Sequence, residues 1–162
     1  MKYQSDLYHA RAHKKQIQAG LKRLKKRNSR EVDTLFHEQH DQVFQEIDCL
    51  SCANCCKTTS PIFRDIDIKR ISKHLRMKET EFIDSYLEMD IDEDWVLKKA
   101  PCHFLNEQDN TCNIYGVRPL ACREYPHTDR KKMTQILSLT ERNTRVCPAV
   151  SRMVRNLLEN DV

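Results

Sequence analysis

The sequence predicts a mainly α protein with an irregular, loop-rich core held by metal, an N-terminal helical arm or hairpin, a C-terminal helix and few short strands. Three observations predict it. Apolar residues recur at helical spacing near both ends of the chain, turn-forming residues break up the middle, and eight cysteines gather in and around that middle. Apolar residues are 39% of the 162 and charged residues 32%, against roughly 45–50% and about 25% in ordinary domains. A core this lean gains from an additional staple. The reading divides the chain into a basic helical extension over 1–48 and a cysteine-cluster domain over 49–162.

The elements follow in order. Leu7, Ala10, Lys14, Ile17, Leu21 and Leu24 are spaced by threes and fours, so a helix spans them with a stripe that is apolar except at Lys14. Asn28 or Ser29 offers the cap of a second helix, possible to run on from the first, whose stripe is Val32, Leu35, Phe36, Val43 and Ile47. Two such stripes can bury against each other. Residues 49–60 are polar and cysteine-rich and end at Pro61, which marks a loop. Asp65 caps a helix with Ile66, Ile68, Ile71 and Leu75, and Thr80 starts a shorter unit carrying Phe82, Ile83, Tyr86 and Leu87. Trp95, Val96 and Leu97 suit a short strand or docking loop. Between Cys102 and Pro126 only brief segments separate Asn106, Asp109, Asn110, Gly116 and Pro119. Pro148 stands in the first turn of a last helix bearing Met153, Val154, Leu157 and Leu158.

Charge is uneven. Residues 1–30 hold ten Lys/Arg and one acid, Asp6, whereas 31–162 hold 18 Lys/Arg and 23 Asp/Glu. The basic arm suits a protein or RNA partner of unknown identity, or a plain solvated helix face, since no aromatic platform or readout motif accompanies it. The opening MKYQSDLYHARAHKK has no apolar signal region, and no run approaches the roughly 18 apolar residues of a membrane span. The expected location is therefore the cytoplasm, without membrane attachment. Two glycines, Gly20 and Gly116, argue against a dinucleotide or P-loop site.

Thiols stay reduced in the cytosol, so clustered cysteines there read as metal ligands or redox groups. Cys49, Cys52, Cys55 and Cys56 form a C-x2-C-x2-C-C run. Two intervening residues let successive thiolates of a turn face one centre while backbone N–H groups hydrogen-bond to sulfur. Cys55 and Cys56 are adjacent, so their side chains are expected to diverge toward different atoms or centres. Cys102, Cys112, Cys122 and Cys147 complete the ligand pool, enough for two four-ligand sites or for one cluster with spare thiols. Arg118 and Arg123 bracket Cys122 and suit either compensation of thiolate charge or an acidic substrate group. Tyr115, Tyr125 and Phe104 are expected to form an apolar shell. Histidine adds little: His37-Glu38-Gln39-His40 is one residue short of the protease zinc helix, and His103 and His127 are minor ligand candidates. Thr59 stands where the radical C-x3-C-x2-C pattern needs a cysteine after Cys52 and Cys56.

The run Cys49–Cys56, with Pro101-Cys102-His103-Phe104-Leu105, Cys112-Asn113-Ile114-Tyr115, Arg118 through Pro126, and Cys147-Pro148, resembles the YkgJ-like cysteine-cluster family, also described as a zinc- or iron-chelating domain. The resemblance covers about residues 49–150. It implies coordination of zinc or an iron–sulfur cluster, with no reaction attached. Flagellin lysine N-methylases carry a similar cysteine pattern, so an iron–sulfur-dependent protein- or RNA-modifying enzyme, or an electron carrier, is the alternative.

Overall fold

The computed structural model describes residues 3–160 and is mainly helical. In chain order the helices are α1 (Gln4–Ala12), α2 (Lys14–Leu24), α3 (Ser29–Glu46), α4 (Cys49–Cys52), α5 (Asn54–Thr58), α6 (Asp65–His74), α7 (Glu79–Tyr86), α8 (Leu120–Glu124), α9 (Leu137–Asn143) and α10 (Pro148–Glu159). The strands are β1 (Leu87–Met89), β2 (Trp95–Leu97), β3 (Leu105–Asn106) and β4 (Thr111–Cys112). Among the described residues no helix is long and apolar enough to cross a membrane. The chain forms two compact units, Met1–Cys52 with Pro126–Val162, and Ala53–Tyr125.

The first unit is a helical bundle. Ile17, Leu21 and Leu24 of α2 join Val32 and Phe36 of α3, Met133, Leu137 and the α10 residues Val150, Val154 and Leu157 in one core. Farther along α3, Val43 and Ile47 meet Ala149 and Met153. The basic side chains Lys14, Lys15, Lys22, Arg23, Lys25 and Lys26 point outward, as the apolar stripe requires. Asn28 caps α3, its Oδ1 accepting the Arg30 N–H at 2.9 Å and the Glu31 N–H at 3.4 Å. The expected single helix over 7–24 is instead interrupted at His13. His13 Nδ1 lies 3.0 Å from the His9 carbonyl, which also accepts the His13 backbone N–H at 2.9 Å. A ring nitrogen sharing a helical carbonyl perturbs the ladder there. The sequence reading assigned no element to 127–147, yet a 3₁₀ turn (Met133–Gln135) and α9 lie there. Asp33 of α3 fixes the turn by accepting the N–H groups of Lys132 at 2.8 Å and Met133 at 2.7 Å.

The second unit has its own core of Phe63, Ile68, Ile71, Phe82, Leu87, Leu97, Phe104 and Ile114. The Phe82 ring lies 6.2 Å from both Phe63 and Phe104 and 5.3 Å from Tyr86, centroid to centroid. Asp65 opens α6 but does not cap it. Asp67, three residues after Arg64, accepts the Arg64 N–H at 3.1 Å, while its own N–H donates to the Arg64 carbonyl at 2.8 Å. Leu87 leaves the helix expected for it and pairs in β1, antiparallel to β2, in the register Leu87↔Leu97, Glu88↔Val96 and Met89↔Trp95. Asp90 builds the connecting turn, its Oδ1 accepting from Asp92 N at 3.0 Å and Asp94 N at 2.9 Å. The stretch after Cys102 contains the two-residue strands β3 and β4, which place Cys112 opposite Leu105.

Candidate metal centre

No disulfide joins the eight cysteines. Each unit holds its own set, and the sets differ in size.

In Ala53–Tyr125, four segments converge. Cys56 lies on α5, Cys102 precedes β3, Cys112 ends β4 and Cys122 lies on α8. The Cys102 N–H donates to the Cys56 carbonyl at 2.7 Å, and Asn113 N donates to the Phe104 carbonyl at 2.8 Å, so backbone bonds lace three of the segments together. The fourth is held by α6: Arg70 donates to the carbonyls of Val117 at 3.2 Å and Arg118 at 2.9 Å, while Asp67 accepts the Leu120 N–H at 3.3 Å. Asp67 and Arg70 were not singled out in the sequence, although acid and base at i,i+3 was the available signal.

Burial and neighbouring thiols act on the four cysteines together. Burial pushes the Cys122 thiol up to about 12, and the neighbouring Cys56, Cys102 and Cys112 add to that. Burial also raises Cys102, with help from Cys56 and Cys112, and raises Cys112, with help from Cys56. Every pair among the four therefore opposes the other's ionisation. Backbone N–H groups counter this locally: those of Phe104 and Leu105 reach the Cys102 sulfur, and that of Ile114 reaches Cys112. Donors two and three residues beyond a cysteine favour its thiolate. Arg118 also favours the thiolates of Cys112 and Cys122; it donates to the Tyr115 carbonyl at 2.6 Å and stacks 3.8 Å over the Tyr115 ring. Arg123 is exposed on α8.

Cys55 and Cys56 do not diverge as expected. A hydrogen bond from Cys55 is the main reason the Cys56 thiol falls to about 7, against the opposing effect of burial. A shared one-turn helix leaves two short side chains free to meet by rotation about χ1. The expected apolar shell is present in part: Phe104 is buried, whereas Tyr115 is 55% exposed and serves as the platform for Arg118.

In the other unit, Cys49 and Cys52 stand three apart on α4, and Cys147 sits at the N-terminus of α10. Asp48 anchors α4, accepting from Leu50 N at 3.0 Å and Ser51 N at 3.2 Å. Burial drives the Cys147 thiol up to about 12, and Cys49 and Cys52 raise it further, while the N–H groups of Val150 and Ala149 favour its thiolate. The histidines are engaged otherwise. His37 Nε2 lies 2.9 Å from the Arg130 carbonyl, His40 Nδ1 lies 2.8 Å from Thr128 Oγ1, and His103 packs 4.6 Å from the Tyr86 ring. As the side chains stand, no three His, Cys, Asp or Glu among the described residues are gathered tightly enough to grip an ion.

Clustered thiols with N–H groups directed at sulfur mark this as a cysteine-rich, mainly α protein. A model of the CxxCxxCC family, whose description is "Putative zinc- or iron-chelating domain", matches residues 48–148. The chain belongs to that family. No curated protein and no solved structure matches it. A donor set of thiols alone fits zinc and fits an iron–sulfur cluster, both of which take sulfur ligands.

Proposed function

We propose that this protein binds metal through a thiolate centre of Cys56, Cys102, Cys112 and Cys122, filled by zinc or by an iron–sulfur cluster. The observation that carries the reading is the mutual electrostatic opposition of all four thiols, set beside N–H groups that favour the charged forms of Cys102 and Cys112. Uncharged, four thiols in one place gain little from proximity; around a cation, their mutual repulsion becomes attraction to a shared charge. Arg118 contributes a further positive charge, since four thiolates exceed that of a dication. Four protein ligands make a closed site of the structural kind, and a reducing compartment such as the cytoplasm would keep the thiols available.

Anaerobic purification followed by metal and acid-labile sulfide analysis tests the reading. Bound zinc without sulfide, or bound iron with sulfide, is the expected result, and Cys102→Ser or Cys122→Ser should lower it. Protein that carries neither metal and acquires neither on anaerobic reconstitution defeats it.

A further inference from the structure

We infer that the outward face of α2 and of the turn after it is a nucleic-acid-binding surface, on which Lys14, Lys15, Lys22, Arg23, Lys25 and Lys26 engage the sugar–phosphate backbone without reading base sequence. No acidic residue stands between Asp6 and Glu31 in the chain, so the helix itself supplies nothing to neutralise these six cations.

All six residues are exposed. Lys15 and Lys22, seven residues apart on α2, stand in line about 10 Å from each other along the axis. The line runs on through the turn that ends the helix, where Lys25 N donates to the Leu21 carbonyl at 2.9 Å and Lys26 N to the Arg23 carbonyl at 3.0 Å. Among the described residues, the ion pairs of this unit join Arg27 to Glu31, Arg145 to Glu141, Arg152 to Asp6 and Glu46, and Arg155 to Asp6, and none uses one of the six. Glu141 reaches α2 from α9, its Oε1 accepting Gln18 Nε2 at 3.4 Å, but Arg145 Nη1 donates to the same oxygen at 3.0 Å. Past the turn, α3 exposes Arg30, and Asp33 three residues later draws in the loop bearing exposed Lys131 and Lys132. The Asp33 carboxylate is committed there to two backbone N–H groups.

The chemistry of this face selects a phosphate polymer. Cations in line on an exposed helix bind a chain of phosphates with release of its condensed counterions. Five of the six are lysine, a residue depleted in the cores of protein interfaces, and Gln16, Gln18 and Ala19 among them offer no large apolar anchor to a folded acidic partner. A lipid surface is disfavoured because an interfacial helix inserts its apolar face. Here Ile17, Leu21 and Leu24 are 3%, 4% and 1% exposed and packed into the bundle core. Phosphate contacts need neither a pocket nor an anchor, and they carry no sequence information. The ligand class is therefore RNA or DNA bound through its backbone.

Fluorescence anisotropy of the full chain with a labelled single-stranded RNA of about 16 nucleotides, and with a DNA duplex of similar length, tests the surface across a salt series. Affinity should fall with salt at a log–log slope of about −3 to −5, as about four to six phosphate contacts require. Combining Lys15→Gln, Lys22→Gln and Lys26→Gln should flatten that slope by about 2–3 and weaken binding about tenfold or more at about 50 mM salt, alike for unrelated base sequences. Removing as many charges from the other unit, by Lys73→Gln, Lys78→Gln and Lys99→Gln at exposed positions, should leave slope and affinity unchanged. In the wild type, RNA should protect Lys15, Lys22 and Lys26 from acylation as read by mass spectrometry, a result that depends on no variant. Binding of RNA, of DNA or of both meets the expectation and separates the two sources. A wild type that binds neither at about 50 mM salt, an α2 triple variant as salt-sensitive as the wild type, equal losses from the two triple variants, or unprotected α2 lysines overturns the assignment. So does polyglutamate, or a vesicle containing phosphatidylserine, that binds as tightly as the nucleic acids.

Discussion

Replacing Asp67 with alanine should destabilise the unit Ala53–Tyr125 and loosen the segment that carries Cys122. Asp67 is fully buried and accepts four hydrogen bonds: Arg64 N and Nε, each at 3.1 Å, Arg70 Nη2 at 2.7 Å, and Leu120 N at 3.3 Å. Breaking a buried ion pair by deleting one partner costs about 3–5 kcal/mol. Side-chain exposures of 50% for Arg64 and 30% for Arg70 let water take up the released cations, so the expected loss is about 2–4 kcal/mol after that discount. A unit of some seventy residues has roughly 4–11 kcal/mol in total. The variant should therefore fold with its urea midpoint lowered by about 1–4 M, taking a slope near 1–2 kcal/mol/M. Trp95, the single tryptophan, lies in this unit and reports its unfolding in the reduced, chelated full chain by fluorescence. Although burial pushes the Asp67 carboxyl up, hydrogen bonds from Arg64, Arg70 and Leu120 outweigh it and hold the group below its ordinary value. Its contribution is thus fully present above about pH 4, the unfolded value, and fades as pH falls through the lower folded one. The gap between wild type and Asp67→Ala should accordingly narrow in acid. A loss under about 0.5 kcal/mol, the range of ordinary surface changes, or a gap that widens as pH falls, would refute the reasoning.

Three further changes follow from packing and capping. Phe82→Ala removes a fully buried ring from the centre of its aromatic cluster and should cost about 3–5 kcal/mol in the same fluorescence assay. Gly20→Ala gains up to about 1 kcal/mol of helix propensity, but the new Cβ would collide with the Leu158 side chain, an overpacking cost of about 1–3 kcal/mol. A net loss of up to about 2 kcal/mol by circular dichroism melting is expected, and it should shrink when Leu158→Ala is added; additivity of the two changes contradicts the contact. Asp33→Ala strips the acceptor from Lys132 N and Met133 N and should cost about 1–2 kcal/mol, with faster amide exchange at Met133 as the local signature.

The ends of the chain were legible because their signals are local. The α2 stripe, Asn28 as cap and Pro148 in the first turn of α10 each depend on neighbours within a turn or two. Trp95–Leu97 was readable as a strand, but its partner was not, since Leu87 sits at the end of a good helical pattern and only pairing with Leu97 pulls it into β1. The turn and helix after Met133 escaped notice for a similar reason: polar residues surround a short apolar set whose stabilisers, Asp33 among them, lie a hundred positions earlier. The cysteines were legible as a cluster in sequence. Their division into sets was not, because it depends on which compact unit each segment joins.

That division has a local cause within the run of four. Cys49, Cys52 and Cys56 are spaced by three and four, so a helix continuing unbroken from 49 to 56 would align all of them along one face. Ala53 prevents it. Its φ of 47° lies in the left-handed region, where a residue with a Cβ pays roughly 1–2 kcal/mol. The bend ends α4 after Cys52 and starts α5 at Asn54, so Cys56 takes its direction from a new helix, where its carbonyl accepts the Cys102 N–H. The spacing that in sequence looks like one helical face is, in the folded chain, shared between two short helices that belong to different compact units.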